Sequence, residues 1–245
     1  MGIVARRKPR GPRRKEGDAG QRVEYAKKHI GDNASRILFS DEKCCDINDH
    51  GGAIYEWVRR GELAGHREVD RYSPKIMCWG MIGVGVKVLC WLDKQSGVGA
   101  KQYTERCLLP NLSVLRTRIL MQDGAKAHSA KSTAAFLMRN GVSTLSDHPP
   151  RSPDLNVIEV LWARIQAIVD RRGPIDEVEL KRFWQEEWDK FSQAEINRLV
   201  LSFNARQHAC IKLKGLTLPS TWRKHIPNRI RAGKSKKLRL RRATP

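Results

Sequence analysis

The chain has 245 residues, and its 47 Lys and Arg outnumber its 26 Asp and Glu to give a formal net charge of +21. This excess excludes an acidic solvating protein and favours a polyanion as the partner. Hydrophobic residues make up 40% of the chain and include seven Trp, which is enough to bury a sizeable core. Wholesale disorder is therefore not expected.

The positive charge is concentrated at the two ends of the chain. Residues 1–15 hold seven Lys and Arg and residues 219–245 hold ten, with no acidic residue in either segment, so the ends carry 17 of the 21 net charges. We therefore predict a flexible basic arm over 1–20, a globular domain over 21–218 and a basic tail over 219–245.

The two basic ends are predicted to contact the phosphate backbone of double-stranded DNA. The tail is also dense enough in Lys and Arg for a nuclear import signal, and a nuclear location is expected if the source is eukaryotic. The candidate phosphate contacts are Arg10, Arg13, Arg14, Lys234, Lys236, Lys237, Arg239, Arg241 and Arg242.

Neither secretion nor a membrane span is predicted. No apolar signal segment follows the basic N-terminal residues, and the six Cys form no CxxC pair, as is typical of reduced thiols inside a cell. Residues 76–92 form a long apolar segment, but Gly80, Gly83 and Gly85 interrupt it. This segment is therefore predicted to be a buried β-hairpin.

The first half of the globular domain is predicted to be mainly β-structure. Apolar residues at helical spacing indicate a short helix over 21–30. A compact β-type run over 36–40 ends at Asp41. Further strands are predicted at 44–48, 53–58 and, as the hairpin, 76–92.

The second half of the domain alternates helices and strands. Helices are predicted at 100–118 with a division at Pro110, 130–139, 176–190 and 193–206, and strands at 119–122 and 142–145. Ser152 is predicted to cap one more helix, which has Pro153 in its first turn and Glu159 one turn later. The order of elements indicates an α/β fold, a ribonuclease-H-like mixed sheet flanked by helices.

Three carboxylates are predicted to meet at one edge of this sheet. A right-handed crossover lays the strand at 119–122 parallel to the one at 36–40, so Asp41 and Asp123 become neighbours, and Glu159 closes a triangle over them. Converging carboxylates repel one another unless a hard divalent cation is present, which predicts Mg²⁺, with Mn²⁺ as a substitute. Two such ions support in-line attack on a phosphodiester.

The same three residues also have a purely structural interpretation. An Asp after a strand is usually a turn residue, and a Glu on an amphipathic helix usually faces solvent. The sequence around them favours the catalytic interpretation. Three blocks, ILFSDE at 37–42, QDGAKAH at 122–128 and SPDLNVIE at 152–159, closely resemble the signature blocks of mariner-superfamily DDE transposases in sequence, order and spacing.

The resemblance covers roughly 21–218 and implies a fold, an activity and a site. It implies that Asp41, Asp123 and Glu159 are the metal-binding catalytic triad of a ribonuclease-H-like domain, while strand alternation turns Glu42 to the opposite face. Members of the family cut their element out of DNA and join the freed 3′ hydroxyl to a TA target with magnesium. They work on DNA as dimers or larger assemblies and use no small-molecule cofactor.

The chain departs from the family pattern in several respects. Gly124 stands where the family usually has Asn, and 35 residues separate Asp123 from Glu159, one more than in the commonest branch. Family members also carry about one hundred residues of helix-turn-helix DNA-binding domain before the catalytic part. Only the basic residues 1–20 precede it in this chain, so recognition of element ends by this chain alone is not expected.

Other polar residues in the same blocks are weaker candidates. His128 is predicted to orient a metal-bound water or a phosphate, and Asn156, one turn before Glu159, to contact DNA or such a water. Asp154 is assigned to the helix dipole and Trp162 to the core. Two rivals to the transposase remain: a DNA-binding remnant without catalysis, and a general nuclease of the same fold.

Overall fold

The computed structural model of the chain describes residues 15–46, 75–92, 98–145 and 147–218. In these residues the strands are β1 (Ile37–Asp46), β2 (Lys75–Gly83), β3 (Val86–Leu92), β4 (Ile119–Met121) and β5 (Ser143–Leu145). They form one mixed sheet in the spatial order β3-β2-β1-β4-β5. The sheet and its flanking helices confirm the predicted fold class.

The register of the sheet brings the two predicted aspartates to the same edge. β1 pairs antiparallel with β2, which forms the predicted hairpin with β3. β1 and β4 are parallel, and their last pair is Phe39 with Met121. Asp41 and Asp123 each follow this pair by two residues, so the crossover predicted from the sequence is confirmed.

The predicted strand boundaries around Asp41 were wrong. The run at 36–40 and the run at 44–48 were expected to be separate strands, whereas β1 continues from Ile37 to Asp46. The cause is pairing with β2, which extends along β1 as far as the pair Asp46 and Lys75. Asp41 therefore lies within a strand, and the predicted strand at 53–58 lies outside the described residues.

Nine α-helical segments surround the sheet in the described part of the chain. They are α1 (Asp18–His29), α2 (Ala100–Gln102), α3 (Leu112–Leu115), α4 (Lys126–Ser129), α5 (Lys131–Arg139), α6 (Glu159–Arg172), α7 (Glu177–Asp189), α8 (Gln193–Leu201) and α9 (Phe203–Lys212). Pro110 lies in a 3₁₀ turn between α2 and α3, in agreement with the predicted division. None of the described helices is long and apolar enough to cross a membrane.

Three predicted helix boundaries were wrong. α1 begins at Asp18, so the predicted arm at 1–20 ends in helical residues. The helix predicted over 193–206 is two helices, because the chain breaks at Ser202 between α8 and α9. Ser152 does not cap α6: residues Pro153–Leu155 form a separate 3₁₀ turn, and α6 begins at Glu159 itself.

Alternate residues of β1 pack against different halves of the core. Phe39 belongs to the cluster built by α1 and α6 to α9, which contains three of the Trp side chains. Leu38 belongs to the opposite cluster, which the segment from Tyr103 to Leu115 and α5 complete. The alternation continues along β1 beyond Phe39, so some of the following residues face α6 and the others face α4.

Candidate metal-dependent active site

Asp41 lies on the face of β1 that α6 covers. The indole Nε1 of Trp162 donates a hydrogen bond to Asp41 Oδ2 at 3.0 Å. Gly80 is the partner of Asp41 across the β1/β2 ladder, and a Cβ at Gly80 would lie 2.5 Å from Cη2 of Trp162. A glycine at this position therefore allows the indole to lie flat over the sheet and to reach the carboxylate.

The other two predicted carboxylates, Asp123 and Glu159, act on the pKa of Asp41. Burial raises the pKa of Asp41 well above its usual value, and the charges of Glu159, Glu42 and Asp123 raise it further. The hydrogen bond from Trp162 acts in the opposite direction but is the smaller effect. Among the described residues, none of the ion pairs includes Asp41. A buried carboxylate beside other carboxylates is the environment that a divalent cation stabilises.

Asp123 is held in a different way, on the loop that follows β4. Its side chain is 49% exposed, and its Oδ1 accepts a hydrogen bond from the backbone N–H of Ala125 at 2.9 Å. His128 Nδ1 lies 2.8 Å from the same oxygen. The hydrogen bond from His128 is the main cause that lowers the pKa of Asp123.

His128 connects Asp123 to the other face of β1. Its Nε2 lies 2.9 Å from Glu42 Oε1, so the buried imidazole bridges two carboxylates. Burial alone would lower the pKa of His128, but the hydrogen bonds to Asp123 and Glu42 outweigh it and raise this pKa to about 10. At neutral pH the bridge is therefore an imidazolium between two carboxylates.

Two overlapping sets of metal-ligating groups share Asp123. Ligand atoms of Glu42, Asp123 and His128 lie within 4.8 Å of one another, so these described residues form a candidate metal site that requires His128 to lose its proton. The predicted triad of Asp41, Asp123 and Glu159 shares Asp123 with this set. Within the triad, the charges of Asp123 and Glu159 raise the pKa of Asp41. Glu42 was excluded from the triad because it faces the opposite side of β1, and its contact with His128 rather than Trp162 follows the same alternation.

Asn156 has a structural contact instead of the predicted helical position. It precedes α6 in an extended conformation, it is only 4% exposed, and its Nδ2 donates to the carbonyl oxygen of Ser40 at 3.0 Å. The predicted contact with DNA is not compatible with this burial. Asn156 ties the start of α6 to the residue before Asp41, so it helps to set where Glu159 lies relative to β1.

Asp154 binds a cation and not the helix dipole to which it was assigned. Nη1 and Nη2 of Arg22 donate to its two carboxylate oxygens at 2.8 and 2.6 Å, and the backbone N–H of Leu218 donates to Oδ2 at 2.9 Å. The predicted assignment was wrong because α6 starts at Glu159, five residues after Asp154, so Asp154 is not in its first turn. Asp154 therefore anchors α1 and the end of the described chain to the loop before α6.

A second histidine lies close to the site in a neutral state. Burial lowers the pKa of His148 to about 4 against the opposing charge of Asp123. Its ring meets the ring of Tyr25 edge-on, with centroids 5.6 Å apart. A neutral imidazole at this place adds no positive charge that would compete with a bound cation.

Sequence reasoning singled out Asp41, Asp123, Glu159 and His128, whose roles stay predictions, and it missed two contacts around them. Trp162 was treated as core, although it stands three residues after Glu159 and so on the same side of a helix. Glu42 was set aside by alternation, and only the position of α4 reveals its contact with His128. The basic candidates between Arg10 and Arg14 and between Lys234 and Arg242 lie outside the described residues.

Comparison with solved structures identifies the class of domain. The catalytic domain of Mos1 mariner transposase superposes with a TM-score of 0.66 at 16% identity, covering 85% of this chain and 99% of that one. A Mos1 transposase paired-end complex with the left transposon end gives a TM-score of 0.77 at 18% identity, covering 89% of this chain and 69% of the other. The chain is a ribonuclease-H-like domain.

Comparison with curated sequences narrows this class. The Tc3 transposase of Caenorhabditis elegans is 28% identical over 204 residues, and the Tcb1 transposase of Caenorhabditis briggsae is 26% identical over 215 residues. The alignments cover 80% and 79% of this chain, and 61% and 75% of the two relatives. No family model matches the chain. The chain is similar in sequence to transposases of transposable elements, in agreement with the resemblance seen in its sequence.

Proposed function

We propose that this chain is the catalytic domain of a DNA transposase, a metal-dependent polynucleotidyl transferase. The reaction is the cutting of phosphodiesters at transposon ends and the joining of the free 3′ hydroxyl to target DNA at TA. The observation that carries the proposal is the buried carboxylate of Asp41, which lies among Glu159 and Asp123 at the end of the β1/β4 pair.

The donor chemistry of this site fits a hard divalent cation. Asp41, Asp123 and Glu159 offer oxygen ligands alone, which suit Mg²⁺ and, as a substitute, Mn²⁺. The Mos1 catalytic domain has been solved with Mn and with Mg, which supports the same metal preference here. We propose two ions, which would activate the attacking oxygen and stabilise the leaving oxygen of the phosphodiester.

The chain's own residues have three tasks in this reaction. Asp41 and Glu159 supply carboxylates from two rigid elements, β1 and α6, and Asp123 supplies one from the more exposed loop after β4. His128 holds that loop against β1 through Asp123 and Glu42. Rigid placement matters because displacement of a reacting group by about 1 Å lowers catalysis by about a hundredfold.

The proposed partner is double-stranded DNA, and the proposed assembly is a homodimer or a larger complex on paired ends. Mos1 transposase has been solved as a paired-end complex with the left transposon end, which supports this arrangement by analogy. The basic segments 1–15 and 219–245 supply the charge for contacts to phosphates. In a eukaryotic cell we propose that the protein acts in the nucleus.

The main alternative is a DNA-binding remnant without catalysis. The setting of Asp41 favours an active site, because a buried carboxylate beside two others costs stability unless the group binds a cation. A general nuclease of the same fold is the other alternative. It differs from a transposase in one measurable respect, since it cuts DNA without joining ends.

The direct test combines cutting and joining in one assay. Purified protein is incubated with supercoiled plasmid and Mg²⁺ or Mn²⁺, with and without a short duplex that carries a free 3′ hydroxyl. We expect metal-dependent nicking and covalent joining of the duplex to the plasmid. Asp41→Asn, Asp123→Asn and Glu159→Gln should abolish both activities, and the exposed control Glu24→Gln on α1 should retain them.

Each other outcome selects a different function. Salt-sensitive DNA binding without cutting would overturn the proposal in favour of the remnant. Cutting without joining would favour the general nuclease. Cutting that persists in all three triad variants would show that other residues carry the activity.

A further inference from the structure

Trp162 makes a polar contact that a core residue does not need. Its side chain is 1% exposed and packs against Trp188 and Trp184 of α7, with ring centroids 5.4 and 5.9 Å away. Within this apolar cluster its Nε1 nevertheless donates to Asp41 Oδ2 at 3.0 Å. The nearer ring, that of Trp188, and the close contact with Gly80 restrict the plane of the Trp162 indole and therefore the direction of its N–H.

One turn of α6 carries both this donor and a predicted metal ligand. Glu159 is the first residue of α6, and Trp162 follows three positions later, so the two side chains lie on the same side of the helix. The N–H of Trp162 reaches β1 at Asp41, and Glu159 is the neighbouring charge with the largest effect on the Asp41 carboxylate. The hydrogen bond therefore links two predicted ligands on separate elements.

Gly80 makes room for this link. A Cβ on Gly80 would approach Cη2 and Cζ2 of Trp162 to 2.5 and 2.7 Å. The indole thus occupies the space that a side chain at Gly80 would take on the same face of the sheet as Asp41. In this position the ring donates to Asp41.

A fixed donor on one oxygen restricts how the carboxylate rotates. Without the hydrogen bond, an aspartate on a strand samples a broad range of its second side-chain dihedral. With Oδ2 committed to Trp162, the other oxygen of Asp41 is held in one orientation relative to β1. A ligand that is already oriented binds a cation more tightly because less freedom is lost on binding.

We propose that Trp162 is a positioning residue of the metal site, whose indole N–H orients the Asp41 carboxylate to bind the divalent cation together with Glu159. This inference rests on the proposed function, because it assumes that Asp41 is a metal ligand. It assigns to Trp162 a role that is separate from its packing in the core.

The chain offers a matched control for the packing role. Trp184 is also fully buried in the same cluster, but its Nε1 has no hydrogen-bond partner among the described residues. Trp162→Phe removes an N–H that contacts Asp41, whereas Trp184→Phe removes one that contacts no described acceptor. Both changes replace an indole with a smaller aromatic ring in the same core cluster, so their effects on stability should be similar.

The test measures the affinity for Mn²⁺ by titration calorimetry, with the melting temperature of each protein as the check on folding. We expect Trp162→Phe to weaken Mn²⁺ binding by about tenfold to a hundredfold, the usual loss when a partner of a metal ligand is removed. Trp184→Phe should bind Mn²⁺ as the wild type does. Replacement of the Trp162 indole with the isosteric benzothiophene amino acid, which lacks only the N–H donor, should reproduce the loss without the change in shape.

The outcomes separate this inference from the proposed function. If the wild type binds Mn²⁺ and the benzothiophene replacement binds it equally well, Trp162 has only a packing role and the inference is overturned. Equal weakening by Trp162→Phe and Trp184→Phe, with no loss for the benzothiophene replacement, has the same meaning. If the wild type itself binds no Mn²⁺, the proposed metal site is wrong, and both proposals are overturned together.

Discussion

Asp41 and Asp154 are both largely buried carboxylates, and they lie in two of the three sequence blocks, 37–42 and 152–159. Their partners differ. Asp154, whose side chain is 13% exposed, is paired through both oxygens with the fully buried guanidinium of Arg22. Asp41 accepts a hydrogen bond from the neutral indole of Trp162 and is surrounded by other carboxylates. Asp154 is paired with a cation of the chain, whereas Asp41 has no cationic partner among the described residues.

This difference separates a carboxylate that holds the fold from one that is available for chemistry. An ion pair such as Arg22 with Asp154 compensates the cost of burying two charges and joins distant parts of the chain. The uncompensated charge at Asp41 costs stability, and a bound divalent cation would recover that cost. Asp123 is intermediate, because the imidazolium of His128 neutralises part of its charge.

The largest effect on stability is expected when the ion pair between Arg22 and Asp154 is removed. Arg22→Met leaves Asp154 buried without its cation, and we expect a loss of about 3–5 kcal/mol in the free energy of unfolding. The double variant Arg22→Met with Asp154→Leu should recover much of this loss, because no unpaired charge remains. Urea unfolding measures both.

The control for this prediction is an exposed ion pair. Arg182, which is 54% exposed beside Glu179 and Glu186, is changed to Met in the same way. Its loss should be at most about 1 kcal/mol, as for other surface pairs. A loss at Arg22 no larger than that at Arg182 would show that the buried pair does not hold the fold.

The next effect tests the intermediate case. His128→Gln removes the imidazolium between Asp123 and Glu42, and we expect a loss of about 1–3 kcal/mol in the free energy of unfolding at pH 7. The pKa of His128 is raised in the folded protein, from 6.5 to about 10. The stability that it contributes is therefore complete below pH 6.5 and is lost as the pH rises toward 10.

The measurement is urea unfolding of the metal-free protein over this pH range. The difference between the wild type and His128→Gln should shrink between pH 7 and pH 10. The exposed His208 provides the control, and His208→Gln should leave the pH dependence unchanged. A difference that stays constant with pH would mean that His128 is not charged in the folded protein.

The smallest effect has the opposite sign and concerns Asp41. Asp41→Asn removes a buried charge while Trp162 keeps an oxygen acceptor, so we expect the metal-free protein to gain about 1 kcal/mol, or about 2–4 °C in melting temperature. The pKa of Asp41 is raised in the folded protein, so its folded form holds the proton more tightly than the unfolded form. The wild type should therefore lose stability relative to the variant as the pH rises above 3.8.

Addition of Mn²⁺ should reverse this order. The wild type should be stabilised in proportion to its affinity for the ion, and Asp41→Asn should respond much less. Differential scanning fluorimetry across a pH and Mn²⁺ series gives both results. If Asp41→Asn is less stable than the wild type in the absence of metal at pH 7, the carboxylate is compensated within the protein and the comparison fails.

The sequence predicts the parts of this site that depend on local pattern and on topology. Periodicity predicts the strands that lead to Asp41 and Asp123, and their parallel pairing was confirmed, although β1 continues past the predicted end at residue 40. The start of α6 could not be predicted, because Ser152 and Pro153 form a good local cap signal. Contacts of Asp154 with Arg22 and of Asn156 with Ser40, from distant parts of the chain, override that signal.

The contacts across the site also lie beyond sequence reasoning. Trp162 and His128 are ordinary core and helix residues in a periodic pattern. Their partners, Asp41 and Glu42, are 121 and 86 positions away in the chain. Adjacent residues of one strand thus receive different partners because they face different helices, and only the three-dimensional arrangement shows which partner each has.

The chain enters and leaves the described domain at one place. Arg22 of α1 donates through Nε to the carbonyl oxygen of Gly215 at 2.9 Å, and its guanidinium also holds Asp154. The backbone N–H of Leu218, the last described residue, donates to the same Asp154 carboxylate. Both ends of the domain are therefore attached to the loop that leads into α6.

This attachment has a mechanical consequence for the site. The N–H of Leu218 and the guanidinium of Arg22 share the Asp154 carboxylate, so a force applied to either end of the described domain reaches the turn five residues before Glu159. Tension on the ends of the domain is therefore transmitted to the start of α6.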